Sequence, residues 1–296
     1  MSGRVLVVGD VMTDIIVKPE GPIVLGSDRR AEIRNKPGGS GANQAVWLGA
    51  AGVDVLFAAR VGAAELTLYE NYFRGLDVVP ALAGDKDLPT GVLVTLLDPR
   101  GERSFLTDRG ANLNLCATDL ADDLLDGTEL VMVSGYSFFA PGPRQAVRRL
   151  LAEARARGIA IAIDPASIGF LAEVGPDDFL DWVGEADWLF ANESEAEILS
   201  DSADLDGQVQ ALAQRFKHVV IKRGQFGAIL GTAEGIVASA PAPLVTVVDT
   251  TGAGDAFAAG FVAALLSGKH SRACLEAGIV EGAKAVQFLG GQPAAR

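Results

Sequence analysis

The chain has 296 residues, 49% of them hydrophobic, enough for a large core built as one α/β domain with or without a small appendage. A formal net charge of −13 argues against non-specific binding to nucleic acid or an anionic membrane, and no apolar run reaches membrane-spanning length. Cys116 and Cys274 lie far apart in no metal-ligand or redox pattern and read as buried small hydrophobes, and no secretory segment precedes the first strand, so a reduced cytoplasmic protein is expected.

Val5-Leu6-Val7-Val8 is a short apolar run ending in Gly9-Asp10, the pattern of a central parallel strand whose C-terminal end meets a site. Asp14 follows, and Ile15 to Val17 and Ala31 to Ile33 read as short strands separated by Pro19, Gly21, Pro22 and Gly26. Gly38-Gly39-Ser40-Gly41-Ala42-Asn43 leads into an apolar helical segment and then a strand over 53–59. A second thin extended section, Val92 to Leu97 and Ser104 to Leu106, flanks the turn Asp98-Pro99-Arg100-Gly101. Neither thin section can hold a core. Together, over 11–36 and 90–107, they predict a small sheet that projects from the main body and covers a substrate.

From Leu130 onward strands and helices alternate: strands at 130–134, 159–163, 187–191 and 218–222, helices near 143–157, 177–184 and after Asn192. Further extended segments fall near 227–231 and 235–238, and helices after Gly252 and near 271–287 finish the chain. This cadence predicts a doubly wound, mostly parallel α/β sheet covered on both faces, in one domain spanning 1–296.

The most informative stretch is Val-Val-Asp-Thr-Thr-Gly-Ala-Gly-Asp at 247–255, followed by an apolar helical run. Val245 to Val248 read as a strand end, Gly252 and Gly254 relax the backbone, and a helix beginning near Ala253 aims free N–H groups at an anion. Asp255 in its first turn then faces a hydroxyl as a proton acceptor, with the helix start expected to lower its basicity. Acidic residues and glycine at a helix start are also ordinary capping chemistry. The glycine spacing departs from the dinucleotide fingerprint, and the Lys-Ser/Thr ending of a phosphate loop is missing.

Two signatures, GGSGANQAVWLGAAGVDVLFAARVG at 38–62 and DTTGAGDAFAAG at 249–260, in this order and with βα units between them, resemble the PfkB or ribokinase-like family of carbohydrate and nucleoside kinases. The resemblance implies a ribokinase-like fold with a small β lid, ATP with Mg2+ as donor, and transfer of the γ-phosphoryl group to a substrate hydroxyl. It makes Asp255 the catalytic aspartate, with Gly252, Ala253 and Gly254 as anion hole. Asp14, Gly39 and Asn43 correspond to acceptor-binding positions. Asn192 and Glu195 match an Asn-x-x-Glu segment associated with water-mediated magnesium; the same spacing is a helix capping box.

Gly224 falls in the glycine turn that borders nucleotide in relatives. The adjacent Lys222-Arg223 pair departs from the commoner pattern and reads equally well as phosphate-directed or as a charged sheet edge. Asp249 and Thr251 resemble a monovalent-cation loop completed near Ala285 and Gly290, which implies K+; Asp249 also suits a turn-tying role. Arg103 either contacts the acceptor or stabilises the lid. Phe105 and Phe138 read as nucleobase platform or as core.

The reading that follows is an ATP-dependent kinase acting on a free, uncharged sugar such as ribose or a ketohexose. A nucleoside kinase is the near alternative and a noncatalytic carbohydrate-binding regulator a remoter one. A homodimer through the lid edge is expected, because an exposed edge strand calls for cover.

Overall fold

The computed structural model describes residues 3–97 and 103–293; the Asp98-Pro99-Arg100-Gly101 turn and the Arg103 side chain lie outside them. In chain order the strands are β1 (Arg4–Val8), β2 (Met12–Pro19), β3 (Ala31–Gly38), β4 (Val55–Gly62), β5 (Val78–Asp85), β6 (Gly91–Leu97) and β7 (Arg103–Asp108). They continue with β8 (Thr128–Ser134), β9 (Ala160–Asp164), β10 (Ala186–Asn192), β11 (Phe216–Lys222), β12 (Ala228–Thr232) and β13 (Gly235–Ala240).

Nine strands form one sheet in the order β13-β12-β11-β10-β9-β8-β1-β4-β5. Pairing is parallel from β11 to β5, and β12 and β13 add antiparallel strands at one edge. Strand periodicity explains why both faces are covered. On β1, Val5 and Val7 enter one hydrophobic core and Leu6 and Val8 the other. The first core includes Phe257 and Phe261 of the Ala253–Leu266 helix; the second takes Val147, Leu150 and Leu151 of the Pro141–Ala156 helix. Chain order reverses beside β1, between β8 and β4, and the C-terminal strand ends there open a crevice where ligands of such sheets bind.

The remaining strands form a four-stranded sheet, β3-β2-β6-β7, over that crevice. β3 is longer than its apolar stretch at 31–33 predicts, because Arg34, Asn35 and Lys36 continue the ladder with β2 on an exposed edge. Such an edge needs backbone partners on one side only, so hydropathy misses it.

Three features depart from the sequence reading. Val245 to Val248 pair with no strand; they belong to a loop beside the crevice in which Val247 and Val248 are exposed. The Leu66–Arg74 helix and β5 carry no strong sequence pattern: the helix buries only Tyr69 and Phe73, and β5 contains Pro80 and Gly84. Cys116, expected as a buried small hydrophobe like Cys274, is only partly buried, with its thiol 3.1 Å from the Thr118 hydroxyl.

Candidate active site

A cleft of about 680 Å3 lies between the C-terminal strand ends and the lid, lined among others by Asp10, Asp14, Asn43, Asp164, Glu195 and Asp255. Asp255 sits in the first turn of the Ala253–Leu266 helix, which Gly252 starts in the left-handed region at φ 72°. A Cβ on Gly252 would fall 2.5 Å from Gly291 Cα, so two requirements select glycine there.

The Asp255 carboxylate is held by three side chains of the Ser40–Ala50 helix. Ser40 Oγ and Gln44 Nε2 donate to Oδ1 at 2.8 and 3.2 Å, and Asn43 Nδ2 donates to Oδ2 at 3.0 Å. The two sequence signatures, remote along the chain, thus meet at one carboxylate. Burial pushes its pKa up to about 7 and Asp164 adds to the rise, while the bonds from Asn43 and Ser40 and the charge of Lys222 oppose it. The expectation that the helix start lowers its basicity is therefore overturned: desolvation outweighs the helix field.

The same helix start offers donors. The Ala253 N–H is taken by the Thr250 carbonyl at 3.3 Å and the Ala256 N–H by the Gly252 carbonyl at 2.9 Å. The N–H groups of Gly254 and Asp255 make no hydrogen bond among the described residues, so this turn presents unpaired backbone donors at the cleft.

On the lid side, Asp14 of β2 is 4% exposed and its Oδ1 has no partner, as is also true of Asn43 Oδ1. Burial raises the Asp14 pKa to about 7, with Asp10 and Asp249 contributing by repulsion. Gly39, at the N-cap of the Ser40–Ala50 helix, lines the cleft between Asp14 and Asn43.

At the other end, Asn192 and Glu195 form a complete capping box: the Glu195 N–H donates to Asn192 Oδ1 at 2.9 Å and the Asn192 N–H to Glu195 Oε2 at 2.8 Å. Both line the cleft, and burial holds the Glu195 carboxyl above its ordinary value against the pull of Lys222. Gly224 lies on the rim. Among the described residues no three His, Cys, Asp or Glu side chains make a metal cage.

Asp249 ties its loop together, accepting from the Thr251 N–H at 2.8 Å and the Gly290 N–H at 2.9 Å. Ala285 ends the last helix, and the next carbonyl, of Val286, accepts from Val248 and Asp249 at 2.7 and 3.2 Å.

Asp164, Ser40 and Gln44 escaped the sequence reading. Asp164 ends β9 as Asp10 follows β1, an acid at the mouth of an apolar parallel strand, and that shared pattern was the available signal. Asn43 and Gln44 follow Ser40 by three and four residues, the spacing of one helix face. Arg109 lines the cleft and donates to the Tyr136 carbonyl at 2.7 Å. The Lys222-Arg223 pair is no sheet edge, since β11 runs between β10 and β12. Arg223 turns outward to Glu193 at 2.9 Å, whereas Lys222 turns into the cleft and meets Asp164 at 2.9 Å. Phe138 is fully buried core, and Phe105 is exposed on the lid.

Comparison with known proteins identifies the family. The chain is 28% identical to an adenosine kinase of Saccharomyces cerevisiae over 295 residues, covering 95% of this chain and 83% of the relative. It is 28% identical to a fructokinase of Klebsiella pneumoniae over 275 residues, covering 90% and 85%. A putative ribokinase II of Escherichia coli, solved in complex with ATP and Mg2+, superposes with a TM-score of 0.88 at 21% identity over 100% of this chain and 96% of that one. The pfkB carbohydrate kinase family model matches residues 2–295, and the chain belongs to that family: it is a phosphotransferase that uses ATP to phosphorylate a small-molecule hydroxyl.

Proposed function

We propose that the protein is an ATP-dependent sugar kinase whose acceptor is a free sugar, a pentose or ketohexose, rather than a nucleoside. One observation carries this choice. Two buried oxygens in the acceptor half of the cleft, Asp14 Oδ1 and Asn43 Oδ1, have no partner, and no aromatic side chain of the lid lines the cleft among the described residues. Paired sugar hydroxyls donate well to such oxygens, which otherwise stay unsatisfied at a cost of about 1–3 kcal/mol each.

In the reaction, the acceptor hydroxyl oxygen forms a bond to the γ-phosphorus while the bond from that phosphorus to the ADP oxygen breaks. Asp255 takes the hydroxyl proton. Ser40, Asn43 and Gln44 hold its carboxylate in place, so little reorganisation is needed as the proton moves. The free N–H groups of the Gly252 to Asp255 turn stabilise the charge on the transferring group. Glu195 and Asn192 face the phosphates, where bound magnesium supplies charge neutralisation through its water shell.

Asp249, Thr251, Ala285 and Gly290 belong to a K+-organised loop in this reading. A K+ held there would take oxygen donors from these residues, backbone carbonyls included, and would organise the neighbouring Gly252 to Asp255 turn. Turnover is therefore expected to fall when K+ is replaced by tetramethylammonium at equal ionic strength, and equal rates in the two salts refute the K+ assignment.

The deciding experiment is an ATP-consumption screen over ribose, fructose, other ketoses and aldoses, ketodeoxygluconate, adenosine, inosine, cytidine and pseudouridine, with mass spectrometry of the product. A free pentose or hexose is expected to give the highest kcat/KM. Preference for a nucleoside is the second reading; the yeast adenosine kinase relative and the Tyr136 ring beside the cleft favour it.

A further inference from the structure

Lys222 and Arg109 are cations of the cleft, and of the two Lys222 stands at the strand ends beside the start of the Ala253–Leu266 helix. It closes β11 two residues after Val220, whose side chain packs in the same core as Phe257. That periodicity aims Lys222 at the N-terminus of the Ala253–Leu266 helix. A Cβ built on Gly254 would stand 3.1 Å from Lys222 Nζ and 3.8 Å from its Cε, with no other described atom beyond its own stretch of helix within 4 Å, so the ammonium lies against this turn.

Its bonding is incomplete. Nζ donates to Asp164 Oδ2 at 2.9 Å; its other two N–H bonds have no hydrogen-bond partner among the described residues. Burial pulls the Lys222 pKa down, but Asp164, Glu195 and Asp255 more than offset this and keep it charged. Asp164 is also tethered, its Oδ1 accepting from the Ala166 N–H at 3.0 Å.

We infer that Lys222 is a catalytic residue that donates to the γ-phosphoryl oxygens of ATP, with Asp164 positioning its ammonium. The inference rests on the kinase reading of the cleft. Two spare N–H bonds beside free backbone donors suit the equatorial oxygens of a phosphoryl group in transfer, and no bond to Lys222 forms or breaks. Asp164, Glu195 and Asp255 concentrate negative charge at this end of the cleft, so a built-in cation offsets what they and a triphosphate bring together. A purely structural ion pair needs neither the orientation toward Gly254 nor spare donors.

The test reads the nucleotide alone, so it does not depend on the acceptor. Calorimetry compares the affinity of the magnesium complexes of ADP and of a non-hydrolysable ATP analogue for wild type, Lys222→Met and Lys222→Arg. The triphosphate-over-diphosphate preference is expected to drop about tenfold in Lys222→Met, with ADP affinity held and the preference partly restored in Lys222→Arg. With any active acceptor, kcat of Lys222→Met is expected to fall roughly 10²–10³-fold, as on loss of an oxyanion donor, with a much smaller change in acceptor KM.

Should Lys222→Met fail to fold, Gly254→Ala serves, because its added Cβ meets only the end of the lysine chain. Displacing the ammonium is then expected to lower the same preference. An unchanged preference in a folded Lys222→Met or, in its place, Gly254→Ala overturns the inference. A wild type that binds MgATP analogue but phosphorylates no sugar refutes the sugar reading and leaves the Lys222 test standing.

Discussion

Asp255 and Asp14 show how little of a residue's chemistry is legible in its type. The Gly-Ala-Gly-Asp spelling identifies Asp255, but its pKa near 7 arises from burial and from Asp164, residues away in sequence and adjacent only in the fold. Asp255→Asn keeps the size of the side chain and removes the base, so kcat is expected to fall roughly 10²–10⁴-fold with nucleotide binding retained; a near wild-type kcat refutes the assignment. Because the ionised form is the base, kcat/KM is expected to fall as pH drops below about 7, measured across pH 5.5 to 8.5. Asp14 carries a stability consequence of the same kind. Its carboxyl ionises near 3.8 in the unfolded chain and at about 7 in the native state. The native state thus holds the proton more tightly, and that contribution to stability is full below pH 3.8 and lost as pH rises through about 7. Asp14→Asn cannot ionise, so the melting temperature of the unliganded variant is expected to exceed that of wild type at pH 8, with the gap closing toward pH 5. An equal gap at both values refutes the ionisation argument, and weakened acceptor binding is the expected accompaniment.

Among the elements, helix starts were the most legible. The Asn192 to Glu195 spacing predicts a capping box, and both reciprocal bonds are present because the motif is local. Its placement at the cleft supports the magnesium role proposed for Glu195. Glu195→Gln preserves part of the cap and removes the charge, so the magnesium concentration for half-maximal turnover is expected to rise with little change in melting temperature. Unchanged magnesium response and kcat in a folded variant contradict a magnesium role. Strand ends were less legible. Val245 to Val248 have β-branched composition yet form no ladder, because a strand needs a neighbour and this loop passes beside the cleft without one. Lys222 shows the converse: a charged residue that reads equally well as phosphate-directed or as a sheet edge lies on an interior strand, its cost of burial offset by Asp164.

At the scale of the whole molecule, the lid sheet β3-β2-β6-β7 contributes Asp14 to the cleft while Ile33, Phe105 and Leu106 stay exposed. A thin sheet with few buried side chains opens at low cost. Backbone amides of 12–19, 31–38, 91–97 and 103–108 are expected to exchange more slowly once the best acceptor is bound; equal exchange in both states contradicts acceptor-linked closure. The sequence by itself determined the alternation of elements, and hence a sheet covered on both faces, since those follow from periodicities of two and about 3.6 residues. It also named Asp255, the Gly252 to Gly254 turn, Asp14, Asn43 and Glu195 as candidates. Only the tertiary structure decided which groups face one another: Ser40 and Gln44 on Asp255, Asp164 on Lys222, and the desolvation that moves Asp14 and Asp255 toward neutral pH. Contacts between residues so far apart in the chain leave no local pattern, and electrostatic environment is a property of packing rather than of spelling.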